Sequence, residues 1–194
     1  MKEYTTEEQK FLLKLARQSI EHAFNNGGKL QLSDADIPSE KLKEKRAAFV
    51  TLTQEGNLRG CIGSLEPELP LYQEIIARAF SAAFQDPRFL PLNPEELPKT
   101  KISISVLTVP KPLEFQDYQE LLNKLTPEKD GVILKKGLRS ATYLPKVWEE
   151  LPNKEQFLSS LCQKAGLESD AWKGNIEVLT YQTIDFSEIV FSPR

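Results

Sequence analysis

At 194 residues with 40% hydrophobic content, the chain can bury a core as one domain, or as one domain with a small lobe, without a covalent or metal staple. Lys and Arg total 25 against 28 Asp and Glu, a formal charge of -3 that argues against nucleic acid or an anionic membrane surface as the main partner. Two cysteines make no disulfide framework and fall short of the four thiolates an iron–sulfur cluster takes, and one histidine and two cysteines with no close pairing among them argue against a structural zinc site. A carboxylate-held magnesium or calcium ion stays open.

The opening MKEYTTEEQK is polar where a secretory signal is apolar, and no apolar run approaches the ~18 residues of a membrane span. The expectation is a cytoplasmic protein with both thiols reduced. TTEEQKFLLKLARQSIEHAF predicts a helix, since Phe11, Leu12, Leu15, Ala16, Ser19, Ile20, Ala23 and Phe24 form one stripe. Thr5 and Glu8 have capping-box spacing, and the glycines of NNGG offer a left-handed stop. After a polar connecting segment broken by Pro38, RAAFVTLT, QEGN and LRGCIGS predict a hairpin.

LYQEIIARAFSAAF predicts a second amphipathic helix, with Pro70 at its start and Pro87 beyond its end. DPRFLPLNPEELPKT is a rigid ordered loop by its prolines. KISISVLTVP alternates as a strand with one polar face, and a short helix around DYQELLNKL follows. DGVILKKGLRSATYLP predicts a second hairpin, NKEQFLSSLCQKAG a helix closed by Gly166, and NIEVLTYQTIDF a last strand. Hairpins mixed with helices predict an α+β fold, a largely antiparallel sheet flanked by helices with a smaller second lobe.

The stretch LRGCIGSLEP concentrates the chemistry. Strand alternation puts Arg59, Cys61 and Gly63 on one face and Gly60 and Ile62 on the other, with Arg59 and Cys61 roughly 7 Å apart at the backbone. A guanidinium at that range favours a thiolate. Two glycines in a strand mark a bulge, a bend or a close approach. The alternative is that Cys61 simply packs, because free cysteine behaves as a small hydrophobe and the sole histidine, His22, flanks the stripe of the first helix. Cys162 falls on the stripe of its helix and is assigned to the core. Asp86 and Arg88 of DPRF either brace a loop over the Cys61 strand as an ion pair or add a second cation beside Arg59 for an anionic ligand. Arg139 and Thr142 are candidates on the second hairpin, whereas Lys135 and Lys136 occupy its turn as solvated charges.

LRGCIGS, AAFQDPRFLPL, SISVL, DGVILKKGLRSATYLPKVW and FLSSLCQKAGL, in order from about Ala47 to Phe186, resemble the AMMECR family, also called AmmeMemoRadiSam system protein A. The resemblance implies two unequal parts around an antiparallel sheet and an association with Memo-type and radical-SAM proteins, with no established activity. It directs attention to Arg59, Gly60, Cys61, Ile62 and Gly63, and to Asp130 ahead of GVIL. Two functions follow. Either Cys61 is a nucleophile or redox carrier assisted by Arg59, or Gly60, Ile62, Gly63, Arg88, Asp130 and Thr142 help form a pocket for a small ligand or peptide beside a partner enzyme. The second is preferred, and no cofactor is implied by the chain itself.

Overall fold

In the computed structural model, which describes residues 4–189, the Thr5–Glu8 capping box forms. The Glu8 N–H donates to the Thr5 hydroxyl and the Thr5 N–H to the Glu8 carboxylate, opening α1 (Thr6–Asn26). Gly27, at φ +72°, stops it. Two short 3-10 turns lead to the hairpin of β1 (Ala48–Gln54) and β2 (Asn57–Gly63), then α2 (Leu71–Phe84) and β3 (Lys101–Leu107). The chain continues as β4 (Lys111–Pro112), α3 (Tyr118–Lys124), β5 (Gly131–Lys136), β6 (Arg139–Tyr143), α4 (Lys154–Lys164), β7 (Glu177–Tyr181) and β8 (Thr183–Ser187).

The fold is α+β and its pairings are antiparallel, with the strands dealt into two four-stranded sheets ordered β2-β1-β3-β8 and β4-β7-β5-β6. Two compact units result. One holds the chain up to Leu107 and from Ile184 onward, and the other is Thr108–Thr183. The single last strand expected over NIEVLTYQTIDF divides at Gln182 into β7 and β8, one for each sheet. Alternation continues across that point, so the periodicity carries no mark of it. The division shows in the hydrogen bonds instead: the Thr108 N–H donates to the Gln182 carbonyl, the Gln182 N–H to the Thr108 hydroxyl, and the Glu188 N–H to the Ile102 carbonyl.

In the first unit the inner sheet face, Ala48, Val50 and Leu52 of β1 with Ile102, Ile104 and Val106 of β3, is buried with Leu12, Leu15 and Ile20 of α1 and Leu71, Ile75 and Ala79 of α2. Each such aliphatic side chain removed from water contributes about 1.5–3 kcal/mol. The opposite face is Thr51, Thr53, Ser103 and Ser105, all half-buried, which is the polar face that the KISISVL alternation predicts. In the second unit Val132, Leu134 and Val178 pack with Leu158, Leu161, Cys162 and Trp172, and Trp148 stacks on Phe157 at 3.6 Å between ring centres. Cys162 is fully buried, as its helical stripe requires, and burial pushes its thiol pKa up.

Candidate functional site

The β1–β2 register contains an irregularity that decides everything after it. Gln54 faces Asn57 and Thr53 faces Leu58, but Leu52 faces Gly60, so Arg59 is the extra residue of a bulge. Beyond the bulge Cys61 faces Thr51 on the polar side of the sheet, and Ile62 faces Val50 on the core side.

Arg59 and Cys61 acquire different partners. The Arg59 guanidinium forms a two-pronged pair with Glu96, Nε to Oε1 at 2.8 Å and Nη2 to Oε2 at 3.0 Å, and lies 5.9 Å from the centre of the Phe89 ring. This pair, then the Asn93 N–H, holds the Glu96 carboxyl below its ordinary range. The cation that reaches Cys61 is Arg88, whose Nη2 donates to the Cys61 carbonyl at 3.1 Å.

Asp86 completes that arrangement from the residue after the α2 cap. Its Oδ2 accepts from the Cys61 N–H at 2.9 Å and from Arg88 Nη2 at 2.7 Å, and its Oδ1 accepts from Arg88 Nε at 2.9 Å. The Arg88 guanidinium first, then the Cys61 and Arg88 N–H groups, hold the Asp86 carboxyl far below the usual carboxylate range. β2 is an edge strand. Its outward N–H and C=O at Cys61 are therefore satisfied by side chains that stand in for a neighbouring strand. Asp86 is only 4% exposed, whereas the Arg88 side chain is 53% exposed. The Cys61 thiol, half-buried, sits 3.2 Å from the Thr51 hydroxyl, which is no general base at neutral pH.

The glycines have separate causes. A methyl group on Gly60 would overlap the Ala82 carbonyl oxygen and stand 3.1 Å from its carbon, so α2 packs directly on the β2 backbone there. A methyl on Gly63 would enter the Phe49 ring, with Cδ2 at 2.6 Å. Just beyond, the Ser64 hydroxyl donates to Glu74, a carboxylate 2% exposed that also accepts from Arg78 Nε at 2.8 Å. Thus β2 and the serine after it carry three carboxylate–arginine pairs, with Glu96, Asp86 and Glu74.

The residues predicted from the sequence divide between the units. Cys61, Asp86 and Arg88 come together in the first, and Arg59, Gly60, Ile62 and Gly63 accompany them. Asp130 and Thr142 belong to the second. There the Asp130 carboxylate accepts from the Thr126 N–H at 2.7 Å and its carbonyl from Trp148 Nε1 at 2.7 Å. Thr142 is buried with its hydroxyl 3.0 Å from that of Tyr181, whose pKa burial pushes up to about 12. Arg139 donates to the Gly166 carbonyl, and Lys135 and Lys136 are exposed. Sequence reasoning passed over Thr51, Glu74, Arg78 and Glu96. Thr51 was within reach of register counting, had the bulge been known. Among the described residues no group of three His, Cys, Asp or Glu is placed to hold a metal ion, and no helix is long and apolar enough to cross a membrane.

The AMMECR1 family model matches residues 13–186. A protein of Methanopyrus kandleri is 40% identical over 95% of this chain and 90% of its own length. One of Methanothermobacter thermautotrophicus is 41% identical over 86% of each. The crystal structure of an uncharacterized protein from Pyrococcus horikoshii superposes with a TM-score of 0.83 at 35% identity, covering 96% of this chain and 94% of that one.

Proposed function

The chain belongs to the AMMECR1 family, and we propose that it is a binding component centred on Arg59–Gly63, acting beside Memo-type and radical-SAM partners in a cytoplasmic modification pathway. One observation carries this: the backbone of Cys61 is clamped on both its N–H and its C=O by the Asp86–Arg88 pair, which leaves the Arg88 guanidinium half in solvent against the Cys61 carbonyl. The other residues of the segment have packing or pairing tasks that account for them. What remains for recognition is a preorganised thiol and cation on a rigid edge, suited to meet an anionic or hydrogen-bond-accepting group of a ligand or partner.

The test is calorimetric titration of the purified Memo-type and radical-SAM proteins of the same organism into this chain. Cys61→Ser should bind within roughly threefold of the parent, and Arg88→Gln, which keeps an amide donor for Asp86, should bind at least about tenfold more weakly. Equal affinity of both variants and the parent, or no binding, overturns the proposal. The second reading, Cys61 as nucleophile or redox carrier, draws on the accessible position of its thiol beside Thr51. It requires fast alkylation of Cys61 at neutral pH, slowed when Arg88 is replaced.

A further inference from the structure

β8 ends the first sheet at the edge opposite β2, so it has a neighbouring strand on one side only. Its inward residues Ile184 and Phe186 pack against the first core, yet Phe186 stays half-buried. α1 turns one face toward this edge, since Lys10, Leu13, Lys14 and Arg17 share a side at helical spacing. Between that face and Pro98, Phe186 and Ile189 runs a groove of about 680 Å³. Its volume and its apolar walls with a few placed charges are those of a small-molecule site.

The two ends of the helical face differ. At one end Arg17 is fully engaged: Nε and Nη2 donate to the Glu188 carboxylate at 2.7 and 2.6 Å, Nη1 to the Leu97 carbonyl at 3.1 Å and Nη2 to the Thr100 carbonyl at 2.8 Å. This brace ties α1 to both elements of the opposite wall, so the groove is preformed. Toward the other end the cations are available. None of the ion pairs among the described residues uses Lys14. Lys10 meets only Glu7, in a pair whose side chains are 67% and 82% exposed and which solvent therefore weakens. With Arg17 and Glu188 cancelling, the groove keeps two positive charges over an apolar floor of Leu13, Pro98 and Phe186, and Ile189 stands 82% exposed at its mouth.

We propose that this groove binds an alkyl carboxylate, an amphiphile with one anionic end. The carboxylate meets Lys14 and Lys10, and the chain lies along Leu13, Pro98, Phe186 and Ile189. At roughly 1.5 Å per residue the helical face runs about 16 Å from Thr6 to Arg17, which accommodates an extended chain of roughly ten carbons. A cationic amphiphile is rejected by the same two lysines. The site is independent of the binding reading at Arg59–Gly63, because the groove and Cys61 lie at opposite edges of the sheet.

The experiment is amide-resolved NMR of the full chain at low salt, titrated in turn with hexanoate, octanoate and decanoate. Saturable shifts confined to residues 6–17, 98–100 and 186–189 are expected, with a decanoate Kd on the order of millimolar. Full burial of each CH₂ would tighten binding about fourfold; a groove open along one side buries about half of it, so each two-carbon step should tighten binding about fourfold. Lys14→Gln and Ile189→Ser should each weaken decanoate about threefold or more, and both positions are exposed, so the variants fold. Decyltrimethylammonium should bind at least about tenfold more weakly than decanoate. Equal binding of the two, or no gain with chain length, overturns the inference. So does decanoate binding that appears only after residues 190–194 are removed, which assigns the groove to that segment, or a dimer by sedimentation that decanoate dissociates, which assigns it to a second copy.

Discussion

Replacing Gly60 by alanine tests whether the segment is built around close approach of a helix to a strand. Ordinary contact begins near 3.4 Å, yet the added methyl would lie 3.1 Å from the Ala82 carbonyl carbon and overlap its oxygen. The obstacle is helix backbone, so no rotamer change relieves it. α2 has to withdraw from β2, loosening the packing of Ile75, Ala79 and Ala83, which are at most 2% exposed. Overpacking of this kind costs about 1–3 kcal/mol, and a backbone obstacle belongs at the upper end, ~3 kcal/mol. Gly63→Ala makes the contrast, because its obstacle is a side chain. It should cost ~2–3 kcal/mol in the parent and little in a Phe49→Ala background, a coupling that a double-mutant cycle isolates. Urea unfolding followed by circular dichroism is the assay, since α1 and α2 supply 21 and 14 helical residues against 7 and 11 in the second unit. Both tryptophans lie in the second unit, so their fluorescence reports on it separately. A Gly60→Ala cost under about 1 kcal/mol, or no rescue of Gly63→Ala by Phe49→Ala, would refute the close-packing account.

Further perturbations probe the clamp and the two cores. The Asp86 carboxyl titrates lower folded than unfolded, so its pairing stabilises above the ordinary carboxylate value near ~4 and is lost as pH falls below that toward the folded value. Asp86→Asn should therefore lower stability at neutral pH and flatten its decline in acid, measured by urea midpoints from pH 7 downward. Asp86→Ala should cost ~2–3 kcal/mol, because it leaves the Cys61 N–H without an acceptor. In native protein, iodoacetamide followed by mass spectrometry should modify Cys61 and spare Cys162, which is fully buried; in urea both should react. Phe157→Ala, which removes the ring stacked on Trp148, should cost ~3–5 kcal/mol and shift the fluorescence transition.

Much of the local structure was legible because its causes are local. The capping box at Thr5, the left-handed glycines at Gly27 and Gly166, the apolar stripes of α1, α2 and α4 and the alternation of β3 all follow from contacts within a few residues. The Cys162 stripe belongs to the same class. The pairing of Asp86 with Arg88 was legible as one of two options, since only Pro87 separates them; that both reach the backbone of Cys61 was not.

By itself the amino-acid sequence determined most of the elements, the α+β class and the short segment worth testing, but neither the two-residue β4 nor the division of the last strand into β7 and β8. The tertiary structure alone decided which way that segment faces. Continuing the hairpin pairing from Gln54 and Asn57 without a bulge would set Cys61 opposite Val50, on the core side of β1; the extra residue at Arg59 sets it opposite Thr51 instead. A one-residue shift turns every later side chain to the other face of the sheet. At this bulge the non-local partners that suit the observed register are the Ala82 carbonyl against Gly60, the Phe49 ring over Gly63 and the Glu96 carboxylate drawing off Arg59. Periodicity within a chain cannot register such partners, because Phe49 meets Gly63 only through the bulged hairpin register, and Ala82 and Glu96 reach β2 only when α2 and the loop after it fold back onto the strand.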